Sequence, residues 1–313
     1  MQRFVRVLIV AAVLLAPRGI WSQPTPKLAN GLAVLPHAMV TVLVDNMVTD
    51  GRLLGEWGLA VLIETGTRRV LFDTGGGRVI MENARALNVG LSKLDAIVIS
   101  HGHDDHTGGL AKLFDVSGKV DLYLHPVAFG ITYWKEDSRA VPRTMSPSRE
   151  QLAARAGRLV ETKGPALVTD GIMVTGGIPR VTDFEDTGLT TKAFVDKAMK
   201  TPDPITDDQA LFFRTPEGVV VVLGCGHAGV VNTIRYISDL LGEPQIYAVI
   251  GGTHLLQASP HRIQKTADAF RQYGLKKIML MHCTGVTAYS DLARAFPNRC
   301  TWPGAGARID FGN

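Results

Sequence analysis

The sequence has little cysteine and no apolar run long enough to cross a bilayer. Its 313 residues include three cysteines, an odd number, so at least one thiol stays unpaired within a monomer. A chain of this size buries enough apolar surface to fold without disulfides. The apolar run from Val7 to Ala16 has ten residues, whereas a membrane-spanning helix needs about 20. We therefore expect a globular chain with no stable membrane span once an N-terminal signal is removed.

Acidic residues are absent from the first 22 positions, which contain three arginines and this apolar run. A basic start, a short apolar stretch and small residues near Ser22 are typical of a secretory signal. Arg3 and Arg6 are not adjacent, which argues against the twin-arginine type. We expect a signal peptide at 1–22 and an exported, periplasmic or secreted domain at 23–313. The alternatives are an uncleaved anchor and a buried first helix.

The chain after position 22 has almost no excess of basic charge. The formal net charge of the whole sequence is +4, but removal of the first 22 residues leaves 30 basic and 29 acidic residues. No basic run with interleaved aromatic residues follows, although such runs are typical of nucleic-acid-binding proteins. We therefore predict a small-molecule substrate and no nucleic-acid partner.

Turn-bounded apolar segments predict one α/β domain. Strand pairs, such as the pair flanking the turn at Thr215–Gly218, occur together with strand–helix units. Helices are indicated at Val230–Leu241 and from Ser148, which begins a capping-box pattern, to about Leu159. This mixture predicts helices on both faces of the sheet. The segment from Phe129 to Pro204 is the least periodic and is the best candidate for a lid or an insertion over a site.

Three of the nine histidines fall within six residues, in the segment His101-Gly102-His103-Asp104-Asp105-His106. The apolar strand Ala96–Ile99 leads into this segment. Imidazoles two positions apart at a strand end point the same way and can chelate one metal ion. Asp105 and His106, on the next turn, can reach a second ion. The alternative, a solvated histidine-rich loop, does not explain the preceding strand.

Other histidines also follow apolar strands. His227 comes after Val219–Leu223, His282 comes after Ile278–Met281, and His254 follows a third strand. Ligands delivered from several strand ends to one sheet edge can assemble a site for two metal ions. The sequence therefore predicts that these histidines converge on the first histidine segment.

These residues resemble the metallo-β-lactamase-fold metal-dependent hydrolases, from about Val40 to Cys283. Within that family, Ser100–Gly109, Gly224–His227 and His282–Gly285 are similar to a branch named for a dihydropterin–ribofuranosylaminobenzene phosphate synthase. The resemblance implies a four-layer αββα sandwich with the site at the sheet edge. Carried over by position, it implies one metal ion held by His101, His103 and His227 and a second held by Asp105, His106 and His282.

The chain departs from the family pattern at one ligand position. Most members place a bridging Asp between the last two histidines, close to the first of them, and this sequence has none there. His254 is the nearest ligand-type residue at a strand end. A neutral metal ligand, a proton donor and a residue that orients a ligand are all open roles for it.

The resemblance and the ligand set together predict hydrolysis of an ester, lactone, amide or phosphoester by a metal-bound hydroxide. Asp105 is expected to hold a metal, orient the nucleophile and handle its proton, and His254 is the candidate acid for the leaving group. One or two divalent cations are expected, with zinc favoured over iron or manganese. The alternatives are a synthase or transferase acting on a dihydropterin and ribofuranosylaminobenzene phosphate, and a metal-binding protein without catalysis.

Several weaker candidates lie near these residues. Asp73 either orients a metal-bound imidazole or serves as a turn residue. Asp45 ends a strand, where a turn, a cap or a substrate contact are all open. His125 is favoured as a structural residue. Cys225 and Cys283 each neighbour an expected ligand, either as buried thiols or as a strained pair.

Overall fold

The computed structural model describes residues 32–242 and 245–312. The predicted signal peptide at 1–22, and the domain boundary that follows it, lie outside the described residues and stay predictions. Within the described ranges, no helix is both long enough and apolar enough to cross a bilayer.

Runs of one to six strands are separated by helices along the described chain. The strands are β1 (Ala38–Val44), β2 (Ala60–Thr65), β3 (Arg69–Phe72), β4 (Ala96–Val98), β5 (Asp121–Leu124), β6 (Thr132–Glu136), β7 (Arg139–Arg143), β8 (Leu159–Glu161), β9 (Ala166–Thr169), β10 (Ile172–Val174), β11 (Ala193–Phe194), β12 (Ala210–Thr215), β13 (Gly218–Leu223), β14 (Ala248–Gly251), β15 (Lys277–Leu280), β16 (Cys300–Thr301) and β17 (Arg308–Phe311). The α-helices are α1 (Ile80–Ala86), α2 (Asp104–Thr107), α3 (Leu110–Ser117), α4 (Arg149–Arg155), α5 (Val230–Leu241), α6 (Pro260–Gln272) and α7 (Val286–Ala295). Short 3-10 helices cover Pro126–Phe129 and His282–Thr284.

The strands form two large sheets with similar internal arrangements. The first sheet has the order β17-β1-β2-β3-β4-β5-β8, and the second has the order β16-β15-β14-β13-β12-β10-β9. In the first sheet, β17 to β3 pair antiparallel and β3 to β8 pair parallel. In the second, β9 to β13 pair antiparallel and β13 to β16 pair parallel. Each sheet therefore has a parallel region whose strand ends lie at one edge.

Alternating side chains place each sheet between two apolar layers. Val61 and Ile63 of β2, together with Val220 and Val222 of β13, belong to one buried cluster between the two sheets. The opposite face of the first sheet packs against α1, α3 and α4. The opposite face of the second sheet packs against α5, α6 and α7. The predicted four-layer αββα sandwich is therefore confirmed.

Local sequence signals placed several element ends correctly. Helix α5 spans the predicted Val230–Leu241, and the hairpin turn at Thr215–Gly218 joins β12 to β13. The capping box at Ser148 is present, but α4 ends at Arg155, so the predicted extension to Leu159 is wrong. Leu159 instead begins β8, which pairs with β5 in the first sheet. Pairing with a distant strand overrides the local helical pattern there.

The segment from Phe129 to Pro204 is only in part a separate structure. Strands β6, β7 and β11 form a small three-stranded sheet of their own, and its Trp134 contacts His103, with 5.5 Å between the ring centroids. Strands β8, β9 and β10 from the same segment belong to the two main sheets. The predicted insertion is therefore restricted to the small sheet and its connections.

Candidate metal centre

The histidine segment follows the C-terminal end of β4 in the parallel region of the first sheet. The Nε2 atom of His101 lies 2.9 Å from the Nδ1 atom of His103. The Ser100 hydroxyl lies 2.9 Å from His101 Nδ1 and donates its hydrogen to a carboxylate, so it accepts from Nδ1–H. Burial lowers the pKa of His101 and of His103. Both rings are therefore neutral, and the unprotonated Nε2 of His101 accepts from His103 Nδ1–H.

The ring of His227 joins this pair from the end of β13. Its centroid lies 4.8 Å from that of His101 and 5.0 Å from that of His103. His227 Nδ1 donates to the carbonyl of Thr187 at 2.7 Å. This bond leaves the buried Nε2 without a hydrogen-bond partner in the described structure. The three imidazoles assigned to the first metal ion thus lie together, and an unpaired buried lone pair is what a metal would satisfy.

Asp105, His106 and His282 form the second group. An oxygen of Asp105 lies 3.3 Å from His282 Nε2 and 3.6 Å from His106 Nε2. Neither ring nitrogen of the buried His282 has a hydrogen-bond partner within the described residues. Burial opposes ionisation of Asp105, but His106 and His282 hold the pKa of its carboxyl well below the usual range. The three predicted ligands of the second ion are therefore also assembled.

Asp73 connects the two groups. One of its oxygens accepts from the Ser100 hydroxyl and from His106 Nδ1, both at 2.7 Å, and the other accepts from the Ser100 backbone N–H at 2.7 Å. Through Ser100 it fixes His101, and directly it fixes His106. Burial opposes protonation of His106, yet the Asp105 and Asp73 carboxylates raise its pKa to about 9. The geometry supports the orienting role considered for Asp73 over that of a simple turn residue.

Asp45 performs a similar task for the second sheet. Its carboxylate accepts from the backbone N–H of His282 at 2.9 Å and from the Trp302 indole at 2.9 Å. The neighbouring Asn46 donates to the carbonyl of His282 at 3.3 Å. Asp45 at the end of β1 therefore positions the loop that carries His282. Sequence reasoning did not find this role, because the two residues are 237 positions apart.

His254 lies beside the first group, with its ring centroid 4.3 Å from that of His227. Burial and the nearby histidines lower its pKa to about 4. A ring that is neutral near pH 7 favours the ligand or hydrogen-bonding roles over the proton donor. The role of His254 as an acid stays a prediction. His125, by contrast, accepts from the backbone N–H of Val127 at the start of a 3-10 helix, as expected for a structural residue.

Three residues of this centre hold left-handed backbone conformations that side-chain-bearing residues rarely adopt. The φ angles are 60° at Asp73, 46° at His254 and 54° at His282. Such conformations cost about 1–3 kcal/mol each and concentrate at functional sites. The surrounding structure therefore holds a strained backbone at three residues whose side chains belong to the centre.

The Metallo-beta-lactamase superfamily profile matches residues 58–236. The chain belongs to this superfamily. It is 30% identical over 263 residues to the 7,8-dihydropterin-6-methyl-4-(beta-D-ribofuranosyl)-aminobenzene-5'-phosphate synthase of Methanocaldococcus jannaschii, covering 81% of this chain and 90% of the relative. The crystal structure of Tm1679, a metal-dependent hydrolase of the beta-lactamase superfamily, matches with 28% identity and a TM-score of 0.73, covering 87% of this chain and 98% of that one. Zinc-bound PqqB from Methylobacterium extorquens shares the fold, at 15% identity, a TM-score of 0.54 and coverage of 87% and 99%.

Two adjoining cavities open at the centre of this superfamily member. One, of about 450 Å³, contacts both ligand groups and has Arg78 and Lys192 in its wall. The other, of about 560 Å³, extends beneath the small sheet and is lined by Asp203 and Asp207. The residues common to both walls are His103, Asp104, Trp134 and Arg143. Trp134 therefore separates two spaces that both reach the centre.

Proposed function

We propose that this protein is a metal-dependent hydrolase acting on an ester, lactone, amide or phosphoester. The observation that carries the proposal is the convergence of two ligand groups at one sheet edge, where they border an open cavity. Buried nitrogens of His227 and His282 that lack hydrogen-bond partners in the described structure support a bound cation. The superfamily membership supports the same reaction class.

In this mechanism the residues divide the work between binding the cations and orienting the water. His101, His103 and His227 would hold one cation, and Asp105, His106 and His282 would hold the other. When bound, such cations lower the pKa of water and polarise the scissile group of the substrate. The Asp105 carboxylate faces both His106 and His282. It would therefore orient the attacking water in its ionised form, because its lowered pKa makes it a weak proton acceptor.

We propose one or two divalent ions, with zinc as the principal occupant and iron or manganese as alternatives. The ligand set is rich in imidazole, and imidazole suits zinc, copper, iron and nickel better than magnesium or calcium. The lowered pKa values of His101 and His227 keep these rings in the neutral form that binds metal.

The cavity that contacts both ligand groups favours a substrate with an anionic group. Arg78 and Lys192 are exposed in its wall. Arg143 is also there, but it already pairs with Glu136 at 3.1 Å and with Asp104 at 3.5 Å. Arg78 and Lys192 are therefore the side chains best placed to contact a carboxylate or phosphate.

The test is reconstitution of the metal-free protein with zinc, manganese or ferrous ion, followed by assays on lactone, β-lactam, phosphodiester and aryl ester substrates. We expect turnover that depends on the added metal and is lost in His103→Ala. The matched control is His261→Ala, because His261 is exposed on α6 and belongs to neither ligand group. Metal-independent turnover, or full activity in His103→Ala, would reject the assignment.

A synthase or transferase is the second candidate, supported by the name of the relative from Methanocaldococcus jannaschii. Incubation of the metal-loaded protein with a dihydropterin and a ribofuranosylaminobenzene phosphate tests it directly. A coupled product, without hydrolysis of any substrate in the panel, would favour this candidate. Stoichiometric metal binding with no turnover in either assay would support a non-catalytic metal-binding protein.

We also propose export, on the basis of the basic and apolar sequence at 1–22. Mass spectrometry of the secreted or periplasmic fraction tests this. We expect a mature N-terminus near residue 23, and an intact Met1 in that fraction would contradict cleavage.

A further inference from the structure

Cys225 lies between the two ligand groups. Its Sγ atom is 3.2 Å from Nε2 of His106, and the side chain is 3% exposed. The ligand atoms of Asp105, His106, His282 and Cys225 all lie within 4.8 Å of one another. The same sulfur also lies within 4.8 Å of the ligand atoms of His101 and His227. Cys225 thus belongs to both groups.

The backbone around Cys225 explains this position. Cys225 follows β13 between two glycines, and a side chain at Gly224 would place its Cβ 2.1 Å from the Ser100 hydroxyl. Gly226 has a φ of +66°, which returns the chain toward His227. The turn therefore packs directly onto the histidine segment of the first sheet, with the Cys225 side chain facing His106.

The other two cysteines have different surroundings. The Cys283 thiol donates to the carbonyl oxygen of Cys225 at 3.4 Å. Among the groups of possible ligand atoms in the described residues, its sulfur occurs only in the one with Cys225 and His254. Cys300 lies in β16, and none of the ligand groups found among the described residues includes it. These two residues are therefore internal controls for Cys225.

We propose that Cys225 is a metal ligand shared by the two cation positions, with its sulfur in the role of a bridging group. The inference rests on the metal centre of the proposed function. On coordination the Cys225 S–H bond is broken, the sulfur donates an electron pair to the cation, and the proton leaves to solvent. Cys225 then joins Asp105, His106 and His282 as the fourth protein ligand of the second position.

This assignment has a consequence for metal selection. A thiolate is a soft ligand, which favours zinc, whereas carboxylate and water ligands suit manganese and magnesium. A shared sulfur also supplies the negative charge that a bridging carboxylate would supply between two cations. The lack of an Asp shortly after His227 in the sequence therefore does not leave the second position short of an anionic link.

Zinc X-ray absorption on the zinc-loaded full chain tests the proposal without an activity measurement. We expect a sulfur scatterer at about 2.3 Å, the usual Zn–S distance. With both positions loaded, a shared ligand predicts one sulfur for each zinc, whereas a ligand of one position alone predicts one sulfur for every two. Cobalt substitution gives a second readout, a thiolate-to-cobalt charge-transfer band in the near ultraviolet.

The variants separate the three cysteines. We expect Cys225→Ser to lose the sulfur scatterer and the cobalt band, while Cys283→Ser and Cys300→Ser keep both. A wild-type spectrum with nitrogen and oxygen scatterers only would overturn the proposal, and this measurement holds even if Cys225→Ser fails to fold. Sulfur that persists in Cys225→Ser would also overturn it. A Zn–S signal without hydrolysis of any substrate would instead reject the proposed function and leave the ligand assignment standing.

Discussion

The two sheets supply the metal centre in different ways. The first sheet contributes His101, His103, Asp105 and His106 from one continuous segment after β4, which includes helix α2. The second contributes His227 from the end of β13 and His282 from the end of β15. These two residues become neighbours because β13, β14 and β15 are adjacent and parallel. The first set is thus fixed by local backbone geometry, whereas the second depends on the topology of the whole sheet.

Contacts across the sandwich make the two sets interdependent. Asp45 of the first sheet holds the backbone of His282, and Cys225 after the second sheet contacts His106. Each of the two cation-binding groups includes residues from both sheets. Neither group can therefore form until the sheets pack against each other through their shared apolar layer. Variants of single residues and removal of the metal separate the effect of local backbone geometry from the effect of sheet packing.

The largest effect is expected from a change in the local set. Asp105→Asn removes the charge that faces His106 and His282, so the variant should lose the second cation. We expect kcat to fall about 10²- to 10³-fold, because a bound cation contributes several kcal/mol to stabilising charge in the transition state. Steady-state kinetics with elemental analysis measure both effects.

The matched control for this change is Asp104→Asn. Asp104 precedes Asp105 on the same helix, but its side chain is 81% exposed and forms an ion pair with Arg143 at 3.5 Å. We expect metal content to be nearly unchanged and kcat to change far less than in Asp105→Asn, because Asp104 lines the cavities but belongs to neither ligand group. An equal loss of activity in the two variants would show that helix α2, and not the Asp105 carboxylate, is the sensitive feature.

Metal removal should destabilise the assembled sandwich, because the ligands come from both sheets. A cation that binds only the folded state adds about 4 kcal/mol to the free energy of unfolding when its free concentration is 1,000 times Kd. We expect the Tm to fall on chelation and to recover with added zinc. The shift should shrink in His103→Ala and stay complete in His261→Ala. A Tm that does not respond to zinc would contradict ligation from both sheets.

The sequence predicted the local set of ligands better than the contacts between sheets. The histidine segment is contiguous, so its spacing alone indicated a chelating geometry, and helix α5 was placed correctly from its periodicity. Cys225 was noticed only as a neighbour of His227. Its contact with His106 joins residues 119 positions apart and depends on the docking of two sheets.

The remaining errors have the same physical origin. Helix α4 stops at Arg155 because Leu159 pairs with a strand of the first sheet. The segment from Phe129 to Pro204 looked like one insertion, but its strands β8, β9 and β10 enter the main sheets. Short strands whose partners are distant in sequence leave a weak local pattern, so pairing decides their structure.

A smaller effect is expected for the residue that connects the two groups. Asp73→Asn should weaken the bonds to His106 Nδ1 and to the Ser100 hydroxyl without removing a ligand. Loss of such an orienting partner costs about 10- to 100-fold in metal affinity or activity. Zinc titration against a competing chelator measures the affinity. An unchanged affinity, with normal folding, would mean that the backbone alone orients these histidines.

The smallest effects are expected at the N-terminal caps of two helices. Helix α4 packs on the first sheet and helix α6 on the second, so their caps compare the two outer layers. Ser259 accepts from the Arg262 backbone N–H at 3.2 Å and begins α6. Ser148 begins α4 through a longer 3.4 Å bond, and there Gln151 also accepts from the Ser148 backbone N–H at 2.8 Å. Ser259→Ala should lower the free energy of unfolding by about 1 kcal/mol.

Ser148→Ala should cost less than Ser259→Ala, because the Gln151 bond to the backbone survives the substitution. Chemical denaturation of both variants measures the difference. The metal content should stay at the wild-type value in both, since neither cap contacts a ligand. If Ser148→Ala instead lowered metal content, α4 and the first sheet would be coupled to the centre more strongly than their contacts imply, and the local character assigned to the first ligand set would be wrong.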